Sequence, residues 1–335
     1  MAGAVRYDYI DTLKGIAIMC VVLYHSQFIT LFYNPNPLYP MLFIIVSGSF
    51  FRASDTWRNF FKKSLWGLMV PYVAFNLLAG VEYNLLHAVG LNVQEQHLDK
   101  IVTATFSHQL PNMPTWFLIT LFIASLIFKC ITVVTARLKG VWHLVAVMVL
   151  SAAIGAVGFY AGHSDEINIP LFPELSLTAV VLYAVGYLFS QLSLLGDNPR
   201  ADKIGYCAIL PATGLYVLLR EYVSMAENIY CLTYWQFLLM MVAIYTALFY
   251  LCKGVGKIPF VTYMGRHSLL VLCTHMMILP LLMGLSLRFF AHDVAVVVSS
   301  VAAMVVLRWV VLPLCSRYLP FISGQGPHPR SNSNK

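Results

Sequence analysis

Three ionisable side chains stand out in the stretch DTLKGIAIMCVVLYH: Asp11, Lys14 and His25. The stretch is otherwise oily enough to cross a membrane, and charges in hydrocarbon are costly unless they pair or face a wet cavity. From Lys14 to His25 is about 11 residues, which comes within about 20° of three full helical turns. Asp11 lies one turn before Lys14, so all three share one face. Lys14 and His25 are then about 16 Å apart along the axis. That puts Lys14 at one membrane surface and His25 near the membrane's middle. An anionic group resting on Lys14 would leave the far end of the same ligand at His25. A neutral imidazole there can act as a general base or as a nucleophile. Asp11 is roughly 20 Å from His25, too far to orient its ring. Structural readings stand beside these. Lys14 also fits a surface anchor that snorkels to lipid phosphates, Asp11 a helix-N-terminal charge, and His25 a buried hydrogen bond.

No metal chemistry is written in the chain. HExxH and CxxC are absent, and His87, His97 and His108 are spaced by ten and eleven residues, which is no recognised ligand pattern. No phosphate-binding glycine-rich loop occurs. Six of the seven cysteines fall in or beside apolar runs, where packing is their role.

The elements that must position these residues follow from composition. The 335-residue chain is 59% hydrophobic and 10% charged, with mean hydropathy +0.75. Soluble domains carry about 25% charged residues. The fold expected is all-α, a polytopic membrane helical bundle of about ten spans. These fall near 12–33, 38–52, 64–86, 114–134, 141–162, 174–195, 204–220, 232–252, 268–290 and 294–315. The polar stretch from His87 to Pro114 is expected to be a loop. About 17 of the 21 basic residues then lie on one side, which places both termini in the cytoplasm. The net charge of +7 reads as topology, not nucleic-acid affinity. The first segment is a retained helix, since no small-residue cleavage site follows it. Turn residues such as YNPNP at 33–37 separate the spans. Residues 1–322 form a single transmembrane domain, and 323–335, rich in Gly, Pro and Ser, form a disordered cytoplasmic tail.

The first stretch, with Lys followed eleven positions later by His, resembles the first-helix signature of the membrane-bound acyltransferase 3 family. The form IDTLKGIAI is similar to its fucose 4-O-acetylase-like branch. Further likenesses follow in order: LFIIVSGSFF at 42–51, FFKKSLWGLMVPYVAF at 60–75, PTWFLITLF at 114–122 and MGRHSLLVLCTH at 264–275. Where that branch often has His-Met-Pro, this chain reads Leu38-Tyr39-Pro40-Met41.

The resemblance implies transfer of an acyl group, usually acetyl from acetyl-CoA, to a carbohydrate hydroxyl in a bacterial inner membrane. It makes Lys14, Lys62, Lys63 and Arg266 candidates for the coenzyme's phosphates, with Asp11 in a charge network. His25 becomes the base or the acyl-accepting nucleophile. His275 would stabilise the thioester oxyanion or bind the acceptor. Trp116 would line the acyl or sugar pocket, though it also fits an interfacial aromatic belt, Glu82 would bind the acceptor, and membrane lipids surround the whole. The rival class is a transporter or a flippase for a lipid-linked sugar, which shares the polytopic architecture and the scattered intramembrane charges.

Overall fold

The computed structural model describes residues 6–31, 39–90, 97–107, 110–162, 171–227, 229–230 and 233–320. The turn at 33–37, His108 and the tail from 323 lie outside the described residues.

The helices are α1 (Asp8–His25), α2 (Tyr39–Ser49), α3 (Trp57–Ser64), α4 (Val70–Ala88), α5 (Leu98–Thr105), α6 (Trp116–Val134) and α7 (Val141–Gly162). They continue with α8 (Pro173–Gln191), α9 (Pro199–Leu219), α10 (Tyr234–Val255), α11 (Pro259–Arg266), α12 (Ser268–Ser286), α13 (His292–Val306) and α14 (Leu312–Tyr318). The fold is all-helical. Among the described residues the only extended pairing is a single antiparallel bridge, Ser224 to Ile229.

Among the described residues seven helical runs are long and apolar enough to cross a membrane: Trp57–Ala88, Met113–Arg137, Val141–Gly162, Pro173–Gln191, Tyr234–Val255, Ser268–Ser286 and His292–Tyr318. The other three expected spans are helical but fall short for physical reasons. α1 carries Asp8, Asp11 and Lys14, α2 has 11 residues, and α9 opens on Arg200, Asp202 and Lys203. Two boundaries differ from the sequence pattern. α1 stops at His25 instead of running to 33, and α5 occupies part of the stretch expected as loop.

Local chemistry explains several helix ends. The side chains of Thr56, Asn198 and Thr233 each accept a hydrogen bond from a backbone N–H three residues on, satisfying an orphan donor of the first turn. α3 runs into α4, and α13 into α14, through π-turns at Leu65–Met69 and Leu307–Val311. Each π-turn is followed within two residues by a proline, Pro71 or Pro313. Proline lacks the N–H of the α ladder and crowds the carbonyl four residues back, and a widened turn relieves both.

The chain divides into two compact units, Met1–Ala53 with Ile123–Ser268, and Ser54–Phe122 with Leu269–Lys335. In the first unit, reciprocal glycines bring helix backbones together. A methyl group at Gly15 would overlap the Val261 carbonyl oxygen of α11, and one at Gly265 would overlap the Asp11 carbonyl of α1. Gly48 of α2 and Gly186 of α8 meet the Tyr183 and Ile45 carbonyls in the same way. Without water to drive association, small residues permit the close packing that holds helices in lipid. Phe51, Phe128, Tyr183 and Tyr187 then fill the adjoining space, with ring centroids 5.0–6.0 Å apart.

In the second unit α4 is tied to its neighbours by buried polar groups. The Tyr72 hydroxyl donates to the Thr105 carbonyl at the end of α5. Asn76 donates to the Tyr72 carbonyl and to Thr115 Oγ1, both at 2.8 Å. Asn76 Oδ1 accepts from the Asn112 N–H at 3.0 Å, and Asn112 Nδ2 donates to the Cys273 carbonyl of α12 at 2.7 Å.

Candidate active site

The N-terminal half of α1 is held by ion pairs. Asp11, only 5% exposed, accepts from Arg6 Nε at 2.7 Å and pairs with Arg266 Nε at 3.4 Å. Arg266 Nη2 reaches Asp8 Oδ1 at 2.7 Å. Thr12 adds a neutral link, its hydroxyl lying 2.8 Å from both the Gly256 carbonyl and Thr262 Oγ1. Lys14, half-buried, carries its ammonium 5.8 Å from the centre of the Phe50 ring. The structure therefore gathers Asp11, Lys14 and Arg266 at one end of α1, with Arg266 bracing α1 against α11.

His25 is the last residue of the same helix. α1 is unbroken between Lys14 and His25, so the two keep a common face about 16 Å apart. The His25 ring is exposed, with the Tyr24 ring edge-on at 5.4 Å.

Lys62, Lys63, Glu82, Trp116 and His275 belong to the second unit. Lys62 and Lys63 are exposed in the last turn of α3, and Lys63 pairs with Asp55 at 2.7 Å. Glu82 lies half-buried on α4. Trp116 is buried at the start of α6, 6.1 Å from the Phe117 ring. His275 is fully buried on α12, and its Nδ1 lies 2.9 Å from the Val271 carbonyl. A carbonyl only accepts, so the proton sits on Nδ1 and the neutral ring presents Nε2 as an acceptor. Among the described residues no group of three His, Cys, Asp or Glu is placed to hold a metal ion.

A family model described as an acyltransferase domain, of the acyltransferase 3 type, matches residues 7–311. The chain belongs to that family. No match was found among curated proteins or among solved structures. The protein is thus a membrane acyltransferase, and helices of membrane-crossing length agree with the assignment.

Two features of this acyltransferase escaped the sequence reading. Lys129 of α6 is 3% exposed in the first unit. Its Nζ donates to the Ala53 carbonyl at 2.7 Å and lies 5.7 Å from the Phe51 ring centre. A lysine inside the apolar run LIFKCITVV was the available signal. The second is the segment after α9, where Val223, Ser224 and Met225 are buried and the Ser224–Ile229 bridge closes a turn. Tyr222 there donates to Glu227 Oε2 at 3.3 Å and also engages the Tyr24 hydroxyl, next to His25. Burial, together with Tyr24 and Glu227, holds the Tyr222 phenol above its ordinary range, so it remains a hydrogen-bond donor. No sequence pattern links residues 24 and 222.

Proposed function

We propose that this acyltransferase moves an acetyl group from acetyl-CoA to a hydroxyl of a carbohydrate acceptor, a cell-surface polysaccharide or lipid-linked sugar, in a bacterial inner membrane. The fucose 4-O-acetylase-like branch is compatible with the first-helix sequence. The observation that carries the reading is the pairing of Lys14 and His25 on one unbroken helix face, about 16 Å apart. Coenzyme A is built to the same plan, with phosphates and thioester at opposite ends of an extended arm.

In this reading Lys14 meets the coenzyme's pyrophosphate, while Lys62 and Lys63, exposed on the second unit, are phosphate candidates by residue type alone. Arg266 commits Nε and Nη2 to Asp11 and Asp8, so it acts chiefly by fixing α1 and keeps Nη1 for an anion. His25 takes the proton from the acceptor hydroxyl, the oxygen attacks the thioester carbonyl, the C–S bond breaks, and the leaving thiolate is protonated in turn. The alternative is attack by the imidazole itself, giving an acetyl-imidazole that the acceptor then opens. His275 with its Nδ1 protonated cannot donate from Nε2 unless doubly protonated. Acceptor binding is therefore the role that its neutral tautomer suits. Trp116 and Glu82 are the remaining acceptor candidates, joined by Tyr222 and Glu227, which reach α1 through Tyr24, the residue before His25.

The test is acetyl-CoA binding to purified protein in nanodiscs, wild type against Lys14→Ala and His25→Ala. Micromolar binding (about −8 kcal/mol) is expected for wild type. Lys14→Ala should weaken it about tenfold, and His25→Ala should leave it intact while abolishing transfer. Absence of coenzyme binding by folded wild-type protein would remove the donor and turn attention to flux of lipid-linked sugars.

A further inference from the structure

A cleft of about 340 Å³ opens in the first unit, lined by Ala53 and by Thr132, Ala136, Leu138, Gly140 and His143 among others, where α6 turns toward α7. It lies at the lower end of the volume range of small-molecule sites, with room for a purine nucleoside but not a whole coenzyme. Three exposed cations adjoin its lining residues in sequence. Arg52 precedes Ala53, Arg137 separates Ala136 from Leu138, and Lys139 separates Leu138 from Gly140. None of the three makes an ion pair among the described residues. A fourth cation, the buried Lys129, points its ammonium at the Ala53 carbonyl. His143 Nδ1 lies 3.0 Å from the Thr135 carbonyl. Its neutral ring therefore carries the proton on Nδ1 and offers Nε2 as an acceptor on the cleft wall.

The cleft is connected to Lys14 by four consecutive residues. Phe50 lies under Lys14, Phe51 under Lys129, and Arg52 and Ala53 lead into the cleft. Three residue steps span at most about 11 Å. A ligand with one anionic group at Lys14 could therefore place a second, with its attached ring, in the cleft.

We propose that this cleft is the subsite for a 3′-phosphorylated adenosine, the nucleotide end of the acyl donor, with the base seated among Ala53, Ala136 and Leu138 and the 3′-phosphate facing Arg52, Arg137 and Lys139. It rests on the reading of coenzyme A as donor and adds a location for the part of the coenzyme farthest from the chemistry. The base's exocyclic amine is a donor suited to His143 Nε2. An anionic lipid head group shares the phosphate chemistry, and the experiment separates the two.

Equilibrium binding of acetyl-CoA, dephospho-CoA and adenosine 3′,5′-bisphosphate is measured in phosphatidylcholine nanodiscs and in nanodiscs containing phosphatidylglycerol. The proteins are wild type, Arg137→Ala/Lys139→Ala and Ala136→Trp, the last filling the cleft without changing charge. The expected result is an about tenfold loss (about 1.4 kcal/mol) of acetyl-CoA and bisphosphate affinity in the double variant in both nanodiscs. Dephospho-CoA should bind wild type and the double variant alike, and Ala136→Trp should weaken all three ligands. Equal acetyl-CoA affinity in wild type and both variants would overturn the cleft while leaving the donor assignment standing. So would an equal loss for acetyl-CoA and dephospho-CoA in the double variant. A charge effect seen only with phosphatidylglycerol would assign the cations to lipid and overturn it too. Failure of folded wild type to bind acetyl-CoA would sink the donor assignment. Bisphosphate binding would then decide the cleft alone, its absence counting against it.

Discussion

At the scale of single residues, the decisive groups sit on one helix and differ in what holds them. His25 should carry chemistry and not coenzyme affinity. His25→Ala is expected to lower kcat by about 10²–10⁴-fold, and acetyl-transfer kinetics check it. Asp11 should carry stability. Its carboxylate is buried between Arg6 and Arg266, and both arginines are partly exposed, which moderates the cost. Asp11→Asn should destabilise the protein by about 1–2 kcal/mol, read as a lowered unfolding temperature in detergent. The common face of Asp11, Lys14 and His25 was legible because helical periodicity is local. The partner of Asp11 was not. Arg266 lies far along the chain, and nothing in its flanking residues says which carboxylate it will meet. Arg266 could thus be read by type, as a cation for phosphates, but not by its place as a brace. Lys129 shows the same limit, since its apolar flanks are plain in LIFKCITVV but the carbonyl it meets is not.

At the scale of elements, α1 is placed by backbone contact with α11 as much as by charge. Gly265 leaves no space for a side chain against the Asp11 carbonyl. Gly265→Val should force the helices apart and cost about 1–3 kcal/mol or more. Loss of thermal stability should come with weaker acetyl-CoA binding, because Lys14 moves with α1. Gly67, with open space around it, is the matched control, where Gly67→Ala should leave both readings unchanged. The glycines themselves were plain in the sequence, but reciprocity of contact is a property of pairs and could not be read from either helix. Helix interiors were legible from apolar length. Helix ends were less so, because α1 ends at the short polar break His25-Ser26-Gln27, after which an apolar stretch resumes, and α5 forms in a stretch too polar to suggest a span.

For the whole molecule, the charge asymmetry of the loops makes a directional statement. Reporter fusions at either terminus should be active only in the cytoplasm, and a reporter inserted in the 87–114 stretch only outside. Helical class was open to reading, and seven of the ten expected spans coincide with long apolar helices, because the bilayer imposes length and hydropathy on a span. Three expected spans, α1, α2 and α9, do not meet that standard alone. α2 and α8 show how such a segment is accommodated, with Gly48 and Gly186 packing a short helix against a longer one. The division into two compact units was not legible. It depends on which helices meet, and the first unit draws on chain segments separated by about seventy residues.

The clamp between Asp11 and Arg266 also sets an order of events during synthesis. α1 emerges first with only Arg6 to meet Asp11, and its second partner, Arg266, is made some 255 residues later. At ordinary translation rates that interval is roughly 10–50 s. Through that time the first helix must wait at the membrane surface, or in the care of the insertion machinery, before it can settle. Nascent chains arrested before Pro259 should therefore leave residues 8–25 open to protease, and chains extended past Ser286 should protect them. Late-made α11 is in that sense the release signal for the first-made helix.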